Sequence, residues 1–451
     1  MSQSHPEFSL VIPCLNEEKT LPLVIKKALH SFERLGIRGE VIVADNGSTD
    51  GSVQAAEQHG ARVVHCPLKG YGNALIAGFQ AAHGKYLIMG DADDSYNFEE
   101  IDDFVERLRG GDDLVMGSRF KGHIQDGAMP WLHRYLGTPV LTFLLNLFFR
   151  TKISDCNCGM RGISKDAFEK LRLESTGMEF ASEMIIKAGI LRMRIGEIPI
   201  TLYKDKRDRK PHLNTWRDGW RHLKFMLLYA PNFVFIYPGV CAFLIGSILT
   251  LSQFNGPFVF GPIFWDIHVM ILGLTFSLLG VFIFQMGLMI KLVSSLQHYY
   301  RKDTMVLWLR SVSMERQILL GSVFLLIGLF LDAYIFWVWM GHNFQNIFMP
   351  QKAIVSLYFL FIGLSVIFFA FFRAILDKND QRKGVCLFKN CLGKSLGGLS
   401  SFYIWLSGAS CFCGLPFIIA IHWFFRTRGP ICFQRLLLMF LLTGLLDTAI
   451  L

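Results

Sequence analysis

Hydrophobic positions follow two regimes along this chain. Up to about residue 231 they come in short bursts. The runs FSLVIP, EVIVAD, ARVVHC and KYLIMG are each apolar for a strand's length. Between them apolar residues recur at helical spacing, as at Leu21, Val24, Ile25, Ala28, Leu29 and Phe32. Strands alternating with crossover helices predict a parallel α/β sheet, with helices over Glu18–Leu35, Gly51–His59 and Tyr71–Ala82. From Asn232 onward the apolar runs lengthen. Phe233–Leu251, His268–Val293, Ile318–Met340 and Ile354–Phe372 each suit the roughly 20 residues that a bilayer crossing takes. The expected organisation is a soluble domain over residues 1–231, a membrane domain of about four helices over 232–376, and an atypical hydrophobic tail over 377–451. Two stretches of that tail, Phe402–Phe425 and Ile431–Leu451, suit a further membrane hairpin.

Charge orients this arrangement. The connection Ser252–Ile267 holds no Lys or Arg, and the one after Met340 holds Lys352 alone. By contrast Ser294–Arg316 carries Arg301, Lys302, Arg310 and Arg316, and Arg373, Lys378, Arg382 and Lys383 follow the fourth crossing. The positive-inside rule puts these basic loops in the cytoplasm with the N-terminal domain. The opening MSQSHPEFSLVIP has no basic region and too short an apolar stretch for a signal peptide, which agrees. An integral protein, in a bacterium one of the inner membrane, is expected. Cys14, Cys66, Cys156, Cys158 and Cys241 are scattered without zinc-finger spacing and read as reduced structural thiols; five more of the ten cysteines lie in the tail. The net charge of +9 is concentrated beside apolar segments, which favours lipid headgroups and phosphates over nucleic acid.

Ligands of open α/β sheets sit beyond the carboxyl ends of strands, and three motifs fall there: PCLNE, ADNGSTDG and GDADDS. Asp91 and Asp93, lifted off the strand KYLIMG, can share one hard divalent cation with a diphosphate, although such a pair also occurs in ordinary surface turns. Asp45 can accept a hydrogen bond from a nucleobase or simply belong to a turn in which Asp50 caps the next helix. Asn16 and Glu17 end the first strand run, where Glu17 can hold a ribose or base edge or favour the helix dipole. Lys69, in a Gly-rich turn opening a helix, suits a phosphate.

PCLNE, ADNGSTDG, KGYGNA, DADD and GSRF, in this order and spacing over residues 7–231, resemble glycosyltransferase family 2, within it the dolichol-phosphate mannose or glucose synthases and their bacterial polyprenyl-phosphate relatives. The resemblance implies a GT-A (Rossmann-like) fold, a divalent Mg2+ or Mn2+, and transfer of a hexose with inversion from UDP-glucose or GDP-mannose to a polyprenyl or dolichyl phosphate. It implies base contacts at Asp45 with Pro13 and Glu17 nearby, and metal ligation by Asp91 and Asp93. Arg119 of GSRF and Arg134 match arginines for the acceptor phosphate, and Asp155 begins a stretch, DCNCGMR, like the family's Asp-x-x-x-Gly-Phe-Arg. Where the family often has a metal-binding Gln this chain has Ser95, and Asp94 replaces a common Leu, so a third protein ligand is unassigned.

A lipid phosphate is already anionic, so the chemistry asks mainly for alignment and for charge on the leaving diphosphate. Tyr135–Phe149, apolar, too short to span and bracketed by Arg134 and Arg150, is expected to lie in the membrane interface, with a buried core helix as the alternative. Lys204–Arg221, with seven basic residues and Trp216 and Trp220 one turn apart, suits the interface belt and can close over the acceptor. The expected partners are a nucleotide sugar, a polyprenyl phosphate and membrane lipids, with a homo-oligomer left open. Competing readings are a processive polysaccharide synthase, whose Gln/Arg-x-x-Arg-Trp motif is missing here, and a non-catalytic membrane scaffold.

Overall fold

The computed structural model describes residues 5–204, 215–260, 263–296, 299–300 and 303–383. Residues Met1–Leu376 form one compact unit. The expected tail hairpin, Arg301 and Lys302, and most of the basic stretch after Lys204 lie outside the described residues.

Seven strands form the main sheet: β1 (Phe8–Cys14), β2 (Gly39–Asp45), β3 (Arg62–His65), β4 (Tyr86–Met89), β5 (Leu114–Ile124), β6 (Arg161–Ser164) and β7 (Ile195–Leu202), in the order β3-β2-β1-β4-β6-β5-β7. The first four correspond to the four apolar runs of the sequence. Helices α1 (Leu21–Arg34), α2 (Ser52–Gln58) and α3 (Tyr71–Ala81) connect them, and α4 (Asp102–Arg109) leads to β5. Strand period places Leu10 and Ile12 in one hydrophobic layer with Val24, Ile25 and Ala28 of α1. Val11 faces the opposite layer with Leu75 and Phe79 of α3. Both faces are covered, which is why these strands read as unbroken apolar runs.

The parallel pairing expected from the opening strand–helix alternation holds for β1–β4 and does not continue across the sheet. β1 through β4 run parallel, but β6 is antiparallel to both β4 and β5, while β5 and β7 are again parallel. The reversal has a positional effect. A reversed strand presents its amino end where its neighbours present carboxyl ends. Met89 pairs with Arg161, so the segment 155–160 leading into β6 arrives beside the acidic loop leaving β4.

Beyond the sheet, α5 (Thr138–Phe149) follows a single wide turn at His133–Gly137, α6 (Lys165–Leu171) and α7 (Phe180–Ile190) pack on the second layer, and α8 (Thr215–Leu228) leads to the membrane segments. Among the described residues, four helices are long and apolar enough to cross a bilayer: Asn232–Leu251, Ile267–Ser295, Met314–Gly341 and Pro350–Leu376. A short hairpin of Phe258–Phe260 with Ile263–Trp265 joins the first two. A short helix, Thr304–Ser311, capped by the Asp303 carboxylate, precedes the third.

Candidate active site

The carboxyl edge of the sheet gathers the residues singled out above. Asp45 ends β2, and its carboxylate is 5% exposed. It accepts from the backbone N–H of Ser48 at 3.0 Å and of Gly47 at 3.3 Å, and faces His65 Nδ1 at 3.3 Å. Burial pushes this carboxyl up, but Ser48, His65 and Gly47 outweigh it and leave it below the ordinary aspartate value. Pro13 lies in β1 opposite Ala44. Asn16, in the left-handed region at φ 59°, donates its N–H to the Ser48 hydroxyl oxygen at 3.0 Å and accepts from Thr49 N–H at 2.8 Å. Glu17 is buried and anchored through its own N–H to Ser52 Oγ at 2.8 Å. The two strand-end loops are therefore cross-linked into one rim. Asp50 accepts from the N–H and hydroxyl of Ser52 at the start of α2 and so belongs to that rim, but the cap position of α2 is Gly51, which brings no side-chain bond.

Lys69 is exposed on the loop that Asn46 holds through Leu68 O and Gly70 N–H. The N-terminal amides of α3 serve another purpose: Gly72 and Asn73 donate to the carbonyl of Thr176 at 3.0 and 3.3 Å. A Cβ at Gly72 would stand 2.0 Å from the Ser175 carbonyl oxygen, so glycine there permits the loop to close on the helix.

Asp91 and Asp93 leave β4 together. Tyr71 on α3 donates its hydroxyl to Asp91 Oδ1 at 3.1 Å, and burial beside that carboxylate pushes the phenol well above its usual range. Asp93, 5% exposed, accepts from the N–H and hydroxyl of Ser95 at 3.0 and 2.6 Å. Ser95 thus orients an acidic side chain. Asp94, at φ 58°, turns the other way to an ion pair with Lys27 of α1 at 2.6 Å. Among the described residues no three His, Cys, Asp or Glu side chains gather as a metal cage. Two carboxylates nevertheless fit Mg2+ or Mn2+, since such ions commonly take the rest of their shell from phosphate and water.

The segment entering β6 closes the site from the other side. Asp155, fully buried, holds Arg119 through Nε at 2.6 Å and Nη2 at 2.8 Å, and also accepts from the Arg119 N–H at 3.2 Å. Although burial opposes the charge, the nearby Tyr96 and Asp155 keep the guanidinium firmly protonated. Gly159 N–H donates to the Tyr96 hydroxyl at 3.0 Å, and a Cβ on Gly159 would lie 2.6 Å from Asp91 Oδ2. Arg161, 1% exposed, donates to the carbonyls of Cys156 and Cys158 at 2.9 Å each and to that of Ala181. It shapes this turn from inside. Burial raises the Cys156 thiol to about 11 and the Cys158 thiol to about 12, so both stay protonated and inert.

Sequence reasoning gave Arg161 no role and passed over Tyr71 and Tyr96. The signals were present: Tyr71 sits inside KGYGNA and Arg161 ends DCNCGMR. Arg134 lies apart from the hydrogen bonds joining Arg119 and Asp155, partly exposed, with its guanidinium 5.5 Å from the ring of Tyr135.

Helix α5 carries this edge outward. Thr138, Thr142, Leu145 and Phe149 form its buried face, while Val140, Phe143 and Leu147 are 45%, 64% and 46% exposed. Trp131, Tyr135 and Leu136 extend the exposed apolar surface. Its inner threonines reach the site: Thr142 Oγ1 accepts from Cys156 N–H, and Thr138 Oγ1 from Asn157 Nδ2, each at 3.2 Å. On α8, Trp220 is 61% exposed and Arg221 lies 3.9 Å from Glu179.

Comparison with known proteins agrees with this architecture. Residues 9–172 match the model for glycosyl transferase family 2, and residues 293–377 match that for the glycosyltransferase family 2 C-terminal transmembrane region. The low-salt glycan biosynthesis hexosyltransferase Agl6 of Haloferax volcanii is 38% identical over 375 residues, 83% of this chain and 90% of its own. An uncharacterised glycosyltransferase of Mycobacterium tuberculosis is 32% identical over 193 residues, 43% of this chain and 84% of its own. Glucosyl-3-phosphoglycerate synthase of Mycobacterium tuberculosis, solved with Mn2+, UDP-glucose and phosphoglyceric acid, aligns with a TM-score of 0.40 at 22% identity over 49% of this chain and 79% of that one. The domain has the GT-A-like mixed sheet, the membrane helices make it an integral membrane protein, and the chain belongs to glycosyl transferase family 2.

Proposed function

We propose that this glycosyltransferase moves a hexose from UDP-glucose or GDP-mannose onto a polyprenyl or dolichyl phosphate at the cytoplasmic membrane face, inverting the anomeric carbon. The observation that carries the reading is the attachment of α5 to the acidic site. An apolar exposed surface lies on one side of this helix, and on the other its threonines bond the turn whose Gly159 packs against Asp91. A helix too short to span, with one apolar face outward, suits the water–lipid boundary. A lipid-borne phosphate could then meet the carboxylates without leaving the membrane. Residues 1–231 would form the transferase domain and 232–376 its anchor. The basic ends at Arg310, Arg316 and Arg373 support a cytoplasmic site.

In this reading Asp45 accepts from the base, with Pro13, Asn16 and Glu17 forming the adjoining wall and Lys69 facing the diphosphate. Asp91 and Asp93 would hold Mg2+ or Mn2+, which when bound supplies Lewis-acid stabilisation to the departing diphosphate. The acceptor phosphate is an anion and needs no strong base. Arg119 and Arg134 supply positive charge to orient it, and Asp155 fixes Arg119 while leaving Nη1 outside their bidentate pair. Attack by a phosphate oxygen from the face opposite the nucleotide forms the new bond as the old one breaks. The nucleoside diphosphate leaves with the electron pair.

The test is transfer of labelled sugar from a panel of nucleotide sugars into the organic-soluble phase, with purified protein and polyprenyl phosphate. Transfer that stops with chelator and returns with Mg2+ or Mn2+ is expected. Label that enters a long aqueous polymer instead would overturn the acceptor assignment in favour of a processive synthase.

A further inference from the structure

Helix α7 carries a charged pair in an otherwise apolar setting. Glu183 and Lys187, one helical turn apart, form an ion pair at 2.6 Å, and each side chain is 1% exposed. Burying two charges costs more than their attraction returns unless their remaining hydrogen-bonding capacity is used. Here the backbone of one turn uses it. Glu183 accepts from Ser175 N–H at 2.8 Å and from Glu174 N–H at 3.1 Å, while Lys187 donates to the carbonyl of Arg172 at 2.6 Å. The pair therefore grips residues 172–175 from opposite sides.

That turn leads directly to the acidic site. Its next residue, Thr176, accepts the α3 amides of Gly72 and Asn73, and between Gly70 and Gly72 sits Tyr71, whose hydroxyl holds Asp91. On the other side the pair reaches the membrane domain. Lys187 Nζ lies 5.0 Å from the ring centroid of Tyr299, in the connection between the second spanning helix and Thr304–Ser311. The neighbouring Tyr300 donates its hydroxyl to the Tyr229 carbonyl, where α8 passes into the first spanning helix.

We infer that Glu183 and Lys187 are positioning residues, which set Asp91 through the 172–176 turn and tie that setting to the membrane-domain connection bearing Tyr299. The kinetic part rests on the proposed role of Asp91; the structural part does not. Loosening the pair frees the turn, α3 loses its N-terminal acceptor, and Tyr71 no longer presents a fixed donor. The route is a contiguous series of contacts, and its energetic coupling is a measurable quantity.

Hydrogen–deuterium exchange on the full chain in lipid nanodiscs, without substrate, is the first readout. Lys187→Met and Tyr299→Leu are expected to speed exchange at residues 172–176 and 72–73 about tenfold while β1 and β2 keep their protection. Tyr299→Leu leaves the buried pair in place, so it answers even where Lys187→Met does not fold. In transfer assays both variants should lose kcat with little change in KM for the acceptor, and Tyr299→Phe, which keeps the ring but loses the hydroxyl bond to Lys187, should fall between wild type and Tyr299→Leu. Unchanged exchange at 172–176 in Tyr299→Leu, or faster exchange with unaltered kcat, overturns the inference. Exchange that responds as expected in a protein transferring no sugar to polyprenyl phosphate would support the structural link and count against the proposed acceptor.

Discussion

Arg119 and Asp155 meet through two parallel hydrogen bonds, Nε to Oδ2 at 2.6 Å and Nη2 to Oδ1 at 2.8 Å, with the carboxylate wholly buried. Breaking such a pair leaves a charge without compensation. Asp155→Ala is expected to destabilise the protein by about 3–5 kcal/mol, seen as a lower thermal unfolding midpoint in detergent. Arg119→Lys keeps the charge but loses the planar fork, so it should lose transfer with a smaller drop in stability. An Arg119→Lys variant as stable and as active as wild type would show that charge alone matters here.

The contact between Tyr71 and Asp91 gives a second prediction. Tyr71→Phe removes the donor and little volume. Apparent affinity for Mg2+ or Mn2+ should weaken about tenfold, measured as the metal concentration for half-maximal transfer. Asp91→Asn should abolish metal-dependent transfer at all concentrations. Activity of Asp91→Asn equal to wild type would remove Asp91 from the metal site.

Gly159→Ala probes the same carboxylate sterically. The added methyl would lie 2.6 Å from Asp91 Oδ2, so that carboxylate must shift, and 3.1 Å from the Tyr96 ring, a tight contact. The expected outcome is lost transfer with a cooperative unfolding transition retained. Full activity would mean that Asp91 can move without consequence.

Phe143, 64% exposed on α5, tests the membrane-facing surface. Burying a phenylalanine side chain stabilises by about 1.5–3 kcal/mol, so Phe143→Asp should raise the KM for polyprenyl phosphate in vesicles about tenfold or more. Binding of the nucleotide sugar, measured by calorimetry, should not change. Loss of nucleotide binding instead would make this a folding residue.

For Asp45 the prediction concerns pH. Its folded carboxyl lies below its ordinary value because Ser48, His65 and Gly47 together outweigh burial. A carboxyl so shifted stabilises the fold above its unfolded value, near pH 4, and loses that contribution as pH falls through the lower folded value. Asp45→Asn should therefore be less stable than wild type near neutrality, and the difference in unfolding midpoints should shrink in acid below about pH 4. A gap that widened in acid would contradict the assignment.

Local pattern alone marks the strand-length and bilayer-length runs and the acidic residues that follow strand ends. Apolar runs of strand length and of bilayer length differ by a property each segment carries alone, so β1–β4, α1–α3 and the four spanning helices could be read from the chain. The places of Asp45, Asp91 and Asp93 at strand ends could be read similarly, because strand ends are marked by the change from apolar to acidic and Gly-rich residues. Tertiary structure decided which partners these side chains take. The reversal of β6 depends on pairing with β4 and β5, and no local pattern encodes a neighbour's direction. That reversal brings Asp155 to Arg119, and Gly159 to Asp91. The grip of Glu183 and Lys187 was likewise hidden, since an acid and a base one helical turn apart look the same on an exposed surface as in a core. Periodicity belongs to one element, whereas a site is made by several, and what joins them is packing over distances the chain does not spell out.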